Sequence, residues 1–187
     1  MDINKVFHIL EHAVTKRQHP WHEMVLATAD GTIPDLRRVV LRGFDLDKRE
    51  IVFHTDIRSP KISILRRNPR AAILFYDPID KLQLRLPVDT RIHHQDEVTE
   101  RSWQKTRPFS KICYAVAHPP GTPIPEPNPD NTVGEWDPAD DARAYGNFAV
   151  IACQFAMIDI LQLQHGGHQR WRAEWHTPKW TVETIQA

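Results

Sequence analysis

What this sequence lacks narrows it first. It has no net charge, with Lys plus Arg and Asp plus Glu at 24 each, so nothing pulls it generally toward nucleic acid or an anionic membrane. Any anion site must be local. It has only Cys113 and Cys153, far apart in sequence, and with no secretory signal they read as reduced, buried small residues of a cytoplasmic protein rather than a disulfide framework. No stretch approaches the ~20 apolar residues of a membrane span. The opening MDINKVFHILEHAVTKRQ alternates charge where a leader would place a basic start and an apolar run. The expectation is a soluble, unprocessed chain with no membrane or nucleic-acid partner. Metal-ligand spacing is missing as well: His8 with His12, His93 with His94, and His165 with His168 do not build a three- or four-ligand set. No metal is expected, and solvent-facing histidines are the simpler reading.

What is there is a series of short strands. The length fits a single domain over residues 1–187, since domains commonly run to roughly 100–200 residues. Ile3, Val6, Phe7, Leu10, Ala13 and Val14 recur at helical spacing behind Asp2, a suitable N-cap. Strands follow over 21–29, 34–44 and 51–55, joined by Asp30-Gly31 and a polar turn, which makes them antiparallel neighbours. Ser59-Pro60-Lys61 opens a short helix that Pro69 stops. Strands over 71–77 and 81–92 come next, the second alternating Leu82, Leu84, Leu86 and Val88 with Gln83, Arg85 and Pro87. Asp96 and Glu97 begin a helix that ends near Lys105 and Arg107, and a short apolar piece covers 111–117. Residues 118–138 are too proline-rich for regular structure and read as an ordered surface loop or a flexible excursion. Strands resume over 148–155, 157–164, 169–176 and 179–185. This pattern favours an α+β chain, mainly antiparallel β: a closed or partly closed barrel with a few flanking helices.

Two segments could carry chemistry. In HTDIRSPK, His54 to Lys61, a strand ends at a hydroxyl and enters a serine-capped helix with lysine in its first turn. Helix-start N–H groups with Thr55, Ser59 and Lys61 would suit a phosphate, although an ordinary Ser-Pro cap with an exposed lysine has the same spacing. In RRVVLRG, Arg37, Arg38 and Arg42 emerge from an otherwise buried segment, either to meet an anion or as rim residues paired with carboxylates. Period-two alternation sets Arg37 and Arg42 on opposite faces, so a shared role needs a strand end, a bulge or a second subunit.

RRVVLRGFD, IVFHTDIRSPK, NPRAAILFY, LQLRL and the later TRP, in this order, resemble the motif series of pyridoxamine 5'-phosphate oxidases and their FMN-binding relatives. The resemblance covers roughly residues 25–110 and implies an FMN-binding split β-barrel. It implies flavin contacts along the strand from Arg37 through Arg38, Val39 and Val40 to Arg42, at His54-Thr55, at Ser59 and Lys61, and at Gln83. Where the family has Ser-Arg-Lys this chain has Ser59-Pro60-Lys61, and where it has an aromatic hydroxyl this chain has His54. The resemblance also implies a homodimer that completes each flavin site at the subunit interface. On the substrate side it points to Arg42, Trp103, Arg107 and Ser110, with Arg170 and Arg172 loosely matching a basic pair near the C-terminus. Trp103 replaces a tyrosine, Leu161 stands where a tryptophan is expected, and the terminal arginine and proline are missing, which argues against vitamin B6 oxidase activity itself. The expectation is an FMN-dependent oxidoreductase of a small anionic or heteroaromatic substrate. The alternatives are a flavin-binding module without its own turnover and a haem-handling split barrel. No residue is singled out as a nucleophile or general base. Trp171, Trp175 and Trp180 could stack on a ring, but at strand spacing core or interface packing is the simpler role.

Overall fold

Apolar residues at helical spacing form α1 (Ile3–Thr15), and Asp2 caps it by accepting from the Asn4 amide at 3.0 Å. A 3-10 turn over Pro20–His22 delivers Trp21 fully buried ahead of the first strand rather than from within it. β1 (Glu23–Ala29), β2 (Pro34–Asp45) and β3 (Glu50–Asp56) then pair antiparallel in sequence order. The computed structural model describes residues 1–31, 33–124 and 136–187.

After α2 (Pro60–Arg67) come β4 (Arg70–Asp77) and β5 (Leu82–His93). β4 pairs both β1 and β5, and β6 (Phe148–Gln154) pairs β3 and the far end of β5. The strands β1-β2-β3-β6-β5-β4 therefore close into an antiparallel barrel. β5 is long enough to change partners: residues 89–93 pair β6, whereas 82–85 pair β7 (Met157–Gln162). β8 (Gln169–His176) and β9 (Lys179–Ile185) extend the sheet from there. Leu26, Leu41, Phe53, Ile73, Leu84 and Leu86 fill the interior. α1 closes one side, with Phe7 6.0 Å from Phe44 and 5.6 Å from Trp180 between ring centroids. Trp171 and Trp180 pack on this core, and Trp175 lies under the Arg49 guanidinium at 4.7 Å.

A smaller core sits outside the β3–β6 wall. It joins Trp103 of α3 (Glu97–Lys105), Ala144 of α5 (Asp141–Asn147), and Phe148 and Val150 of β6, with Tyr114 of α4 (Pro108–Ala115) against them. The short apolar piece is thus helical, and α5 arises from DARAYGN, which carries no apolar periodicity. Residues 118–124 are irregular, and Pro138 already begins a 3-10 turn (Pro138–Asp140); the expected loop's residues 125–135 lie outside the described residues. No described helix is long and apolar enough to cross a membrane.

His93 and His94 are not solvent-facing. His93 Nδ1 meets Asp96 Oδ2 at 2.7 Å, and His94 Nε2 donates to the Gly146 carbonyl at 2.9 Å, tying α3 to α5. Asp96 also caps α3, accepting from the Val98 and Thr99 amides at 3.1 and 3.0 Å. Asp96→Ala is therefore expected to lower stability by about 1–2 kcal/mol, read as a shift in the denaturation midpoint, since a cap and a histidine partner go together.

Candidate functional site

β3 ends at Thr55-Asp56, and the chain turns into α2 at Ser59. Ser59 occupies the N-cap position, but its hydroxyl makes no capping bond. Lys61 takes it instead: Nζ donates to Ser59 Oγ at 2.7 Å and to Thr55 Oγ1 at 2.9 Å. A half-buried ammonium has three donors to satisfy and outcompetes a weak cap. Arg37 approaches from β2, with Nη1 donating to Thr28 Oγ1 at 2.7 Å and to the Leu26 carbonyl at 3.4 Å. Its Nη2 lies against the Asp35 carboxylate but, though sealed from solvent, makes no well-formed hydrogen bond. Burial first, and then the Arg37 charge, hold the Lys61 pKa below the ordinary lysine value against the pull of Asp56 and Asp35. Two crowded cations beside the Thr55 and Ser59 hydroxyls fit a phosphate dianion.

The charge that Pro60 removes is not replaced by its neighbour. Arg58 is consumed by Asp56, donating Nε to Oδ1 at 3.0 Å and Nη2 to Oδ2 at 2.7 Å. It also donates to the Val116 and Ala117 carbonyls at 3.1 Å each, fastening the end of α4 over the β3–α2 turn. Sequence reasoning passed over Arg58, although an aspartate two residues before an arginine at a strand end was an available signal.

A second site lies on the outer side of β2 and β3. Leu41 opposes Phe53, but Gly43 opposes Val52, so Arg42 is the extra residue of a bulge. A Cβ on Gly43 would come within 3.3 Å of the Val52 Cβ, so glycine permits this close approach. Arg42, Gly43, Val52 and His54 form the barrel wall of a cleft of about 450 Å³. Thr15, Arg17 and His22 close one end, and Ser102, Lys105, Thr106, Arg107 and Ser110 face them from α3 and α4. Arg17, Arg42, Lys105 and Arg107 bring positive charge to it, and among the described residues no carboxylate lines the cleft. Burial, and secondarily Arg42, pushes the His54 pKa down to about 3, so the imidazole is neutral. Arg37 and Arg42 thus serve separate places, as alternation along β2 requires. Arg17 and His22 were missed because nothing local to α1 signals what its end faces.

Other expected contacts fall elsewhere. Arg38 is exposed and pairs with Glu23 at 3.3 Å, Val39 packs toward the core, and Val40 opposes Glu23 across the strands. None of the three lines the cleft. Trp103 does not line it either: the residue is buried at 5 % exposure, and its indole N–H points at Asp141, 3.1 Å from each carboxylate oxygen. Gln83 is half-buried on β5, opposite Tyr76 and Leu161. Arg170 is held by Asp159, with Nε to Oδ1 at 3.0 Å and Nη2 to Oδ2 at 2.6 Å, and Arg172 stands 3.9 Å from Glu183.

The family described as pyridoxamine 5'-phosphate oxidase, FMN-binding domain, matches residues 5–94, which carry α1 through β5 and hence Arg37, Lys61, Arg42 and His54. Over those residues the chain resembles the pyridoxamine 5'-phosphate oxidase-related, FMN-binding family. Among curated relatives, a pyridoxine/pyridoxamine 5'-phosphate oxidase of Nitrobacter winogradskyi is 50 % identical over 54 residues, 28 % of this chain and 24 % of the relative. That of Rubrobacter xylanophilus is 38 % identical over 87 residues, 46 % of this chain and 38 % of the relative. The match therefore spans well under half the length of these oxidases. Likeness of fold extends further than the sequence match. A pyridoxamine 5'-phosphate oxidase-related, FMN binding protein of Nostoc punctiforme superposes with TM-score 0.79 at 22 % identity, covering 98 % of this chain and 96 % of that one. PhzG of Burkholderia lata, solved with tetrahydrophenazine-1-carboxylic acid, gives 0.75 at 16 % identity, covering 99 % and 92 %. At these identities the two structures show the shared split-barrel fold.

Proposed function

We propose that the chain binds FMN and acts as an FMN-dependent oxidoreductase of the pyridoxamine 5'-phosphate oxidase-like type on a small anionic substrate, as a homodimer with the flavin at the subunit interface. The observation that carries this reading is the separation of two cation sets, Arg37 with Lys61 and Arg42 with Arg107. FMN has one phosphate, which Arg37, Lys61, Thr55 and Ser59 would hold. The second set is left for an anionic group of the substrate. FMN supplies the hydride or electron acceptor when bound. The chain orients both molecules through its cations. Trp103 and Arg170 are already committed to Asp141 and Asp159, which supports a substrate other than the vitamin B6 phosphates.

The dimer reading draws on residues outside both sites. Gln83, Arg170 and Arg172 share the outer surface of β5, β7 and β8, where only a second copy would bring them to a flavin. On the neighbouring outer surface Leu36 and Tyr76 are 61 % and 43 % exposed, apolar area suited to a partner.

The test is a visible absorption spectrum followed by FMN titration on a sizing column. One FMN per chain in a dimer is expected; a folded protein that binds none sinks the reading, and flavin that no small anion reduces leaves a binding module without turnover. In the FMN-loaded protein, Arg42→Ala and Arg107→Ala should each weaken binding of benzoate, as a carboxylate probe, by about tenfold in calorimetry.

A further inference from the structure

His54 differs in kind from the rest of the cleft. It lies between the inward-facing Phe53 and Thr55 on β3, so its ring points outward, opposite Val150 of β6. The ring sits edge-on to Phe148, with centroids 4.8 Å apart and planes at 75°. Phe148 is itself wedged between Trp103 and Tyr114 at 5.0 and 5.1 Å. Carbon contacts thus fix the imidazole plane. Among the described residues neither ring nitrogen has a hydrogen-bond partner, and neither is among the polar atoms sealed from solvent. His22, in the same cleft, shows the contrast, since its Nδ1 is spent on the Ala13 carbonyl at 2.7 Å. Imidazole nitrogens inside proteins are normally partnered, so a rigid ring with its nitrogens open to a cleft is prepared for a ligand.

The surroundings decide what the ring can do. Arg42 comes from β2, Lys105 and Arg107 from the end of α3, and Arg17 and His22 from the α1–β1 connection, with no carboxylate among them. A neutral imidazole keeps one nitrogen as acceptor. On the barrel wall, Arg42, Gly43 and Val52 have no side-chain acceptor, so His54 is the side-chain acceptor of that wall, across the cleft from the hydroxyls of Ser102 and Ser110.

Given the anion-binding reading of the cleft, on which this rests, we propose that His54 is a specificity-determining contact. It accepts a hydrogen bond from an O–H or N–H group of a small carboxylate or phosphate whose anionic end Arg42 and Arg107 hold. The ligand class is therefore a compact anion carrying a polar hydrogen a few atoms from its charge, in preference to the same anion without it.

Calorimetry on the FMN-loaded protein with benzoate and the three monohydroxybenzoates tests this. At least one hydroxybenzoate should bind about fivefold more tightly than benzoate, the size of one neutral hydrogen bond. His54→Phe should bring the ratio of hydroxybenzoate to benzoate affinity, measured within that variant, to about one, and His54→Gln, which restores an acceptor oxygen, should recover part of the preference. A wild-type protein without the preference, or a preference that survives His54→Phe, overturns the assignment while leaving the anion cleft intact. Benzoate binding that ignores both Arg42→Ala and Arg107→Ala, or no benzoate binding at all, overturns the cleft reading and this one with it.

Discussion

Lys61→Ala and Arg37→Ala will each weaken FMN binding by about 10- to 100-fold while leaving the barrel folded, as measured by quenching of flavin fluorescence. In the proposed site each substitution would remove a charge-assisted hydrogen bond to the phosphate, worth about 1.5–3 kcal/mol. The fold should survive because neither side chain belongs to the apolar core. Lys61 is in fact held charged at a cost: burial and Arg37 lower its pKa. A lysine whose folded pKa lies below its unfolded value disfavours folding while protonated, so the FMN-free protein gains stability as pH rises from that folded pKa toward the ordinary 10.5. Lys61→Ala should remove this rise. Phosphate would bring the pKa back up, so FMN affinity should fall over the same alkaline interval in the wild type alone. Unchanged affinity in both variants would remove the phosphate site from Arg37 and Lys61.

The parts of this molecule legible in its sequence are those set by local rules. The amphipathic α1, the three antiparallel strands joined by short turns, and the alternating Leu82–Val88 face all follow from periodicities of 3.6 and 2. The Ser59-Pro60 helix start was legible in position but not in bonding, because whether serine caps or serves a lysine depends on what crowds the lysine, and Arg37 comes from another strand. Arg42 illustrates the same boundary. Alternation gave its face correctly, but the bulge at Leu41–Gly43 that thrusts it into a cleft is a property of strand pairing. The cleft itself joins the end of α1, the β2–β3 wall and α3–α4, drawn from residues 14–22, 42–54 and 102–110, and no local pattern announces that they meet. α5 escaped notice because only Ala144 is buried from it, too little for a periodic signal.

Trp103 is where motif position and physical surroundings give different answers, and a pair of substitutions separates them. Its ring contacts Phe148 at 5.0 Å, Tyr145 at 5.9 Å, Tyr114 at 6.0 Å and Trp136 at 6.2 Å between centroids. Lys111 stands over it at 4.3 Å while also pairing with Asp141 at 2.9 Å. Trp103→Ala should therefore cost about 3–5 kcal/mol, as aromatic truncation in a core does, and lower Tm by roughly 6–20 °C for a chain of this size. Trp103→Phe keeps most of the packing and loses only the N–H to Asp141, whose carboxylate Lys111 still holds, so about 1 kcal/mol is expected. Benzoate affinity should be unchanged in Trp103→Phe, because the indole does not line the cleft. The opposite pattern, weak binding with nearly full stability, would return Trp103 to the substrate contacts that its position in the motif suggests, and would require α3 to rotate its inner face toward Arg42 and Arg107 when ligand is bound.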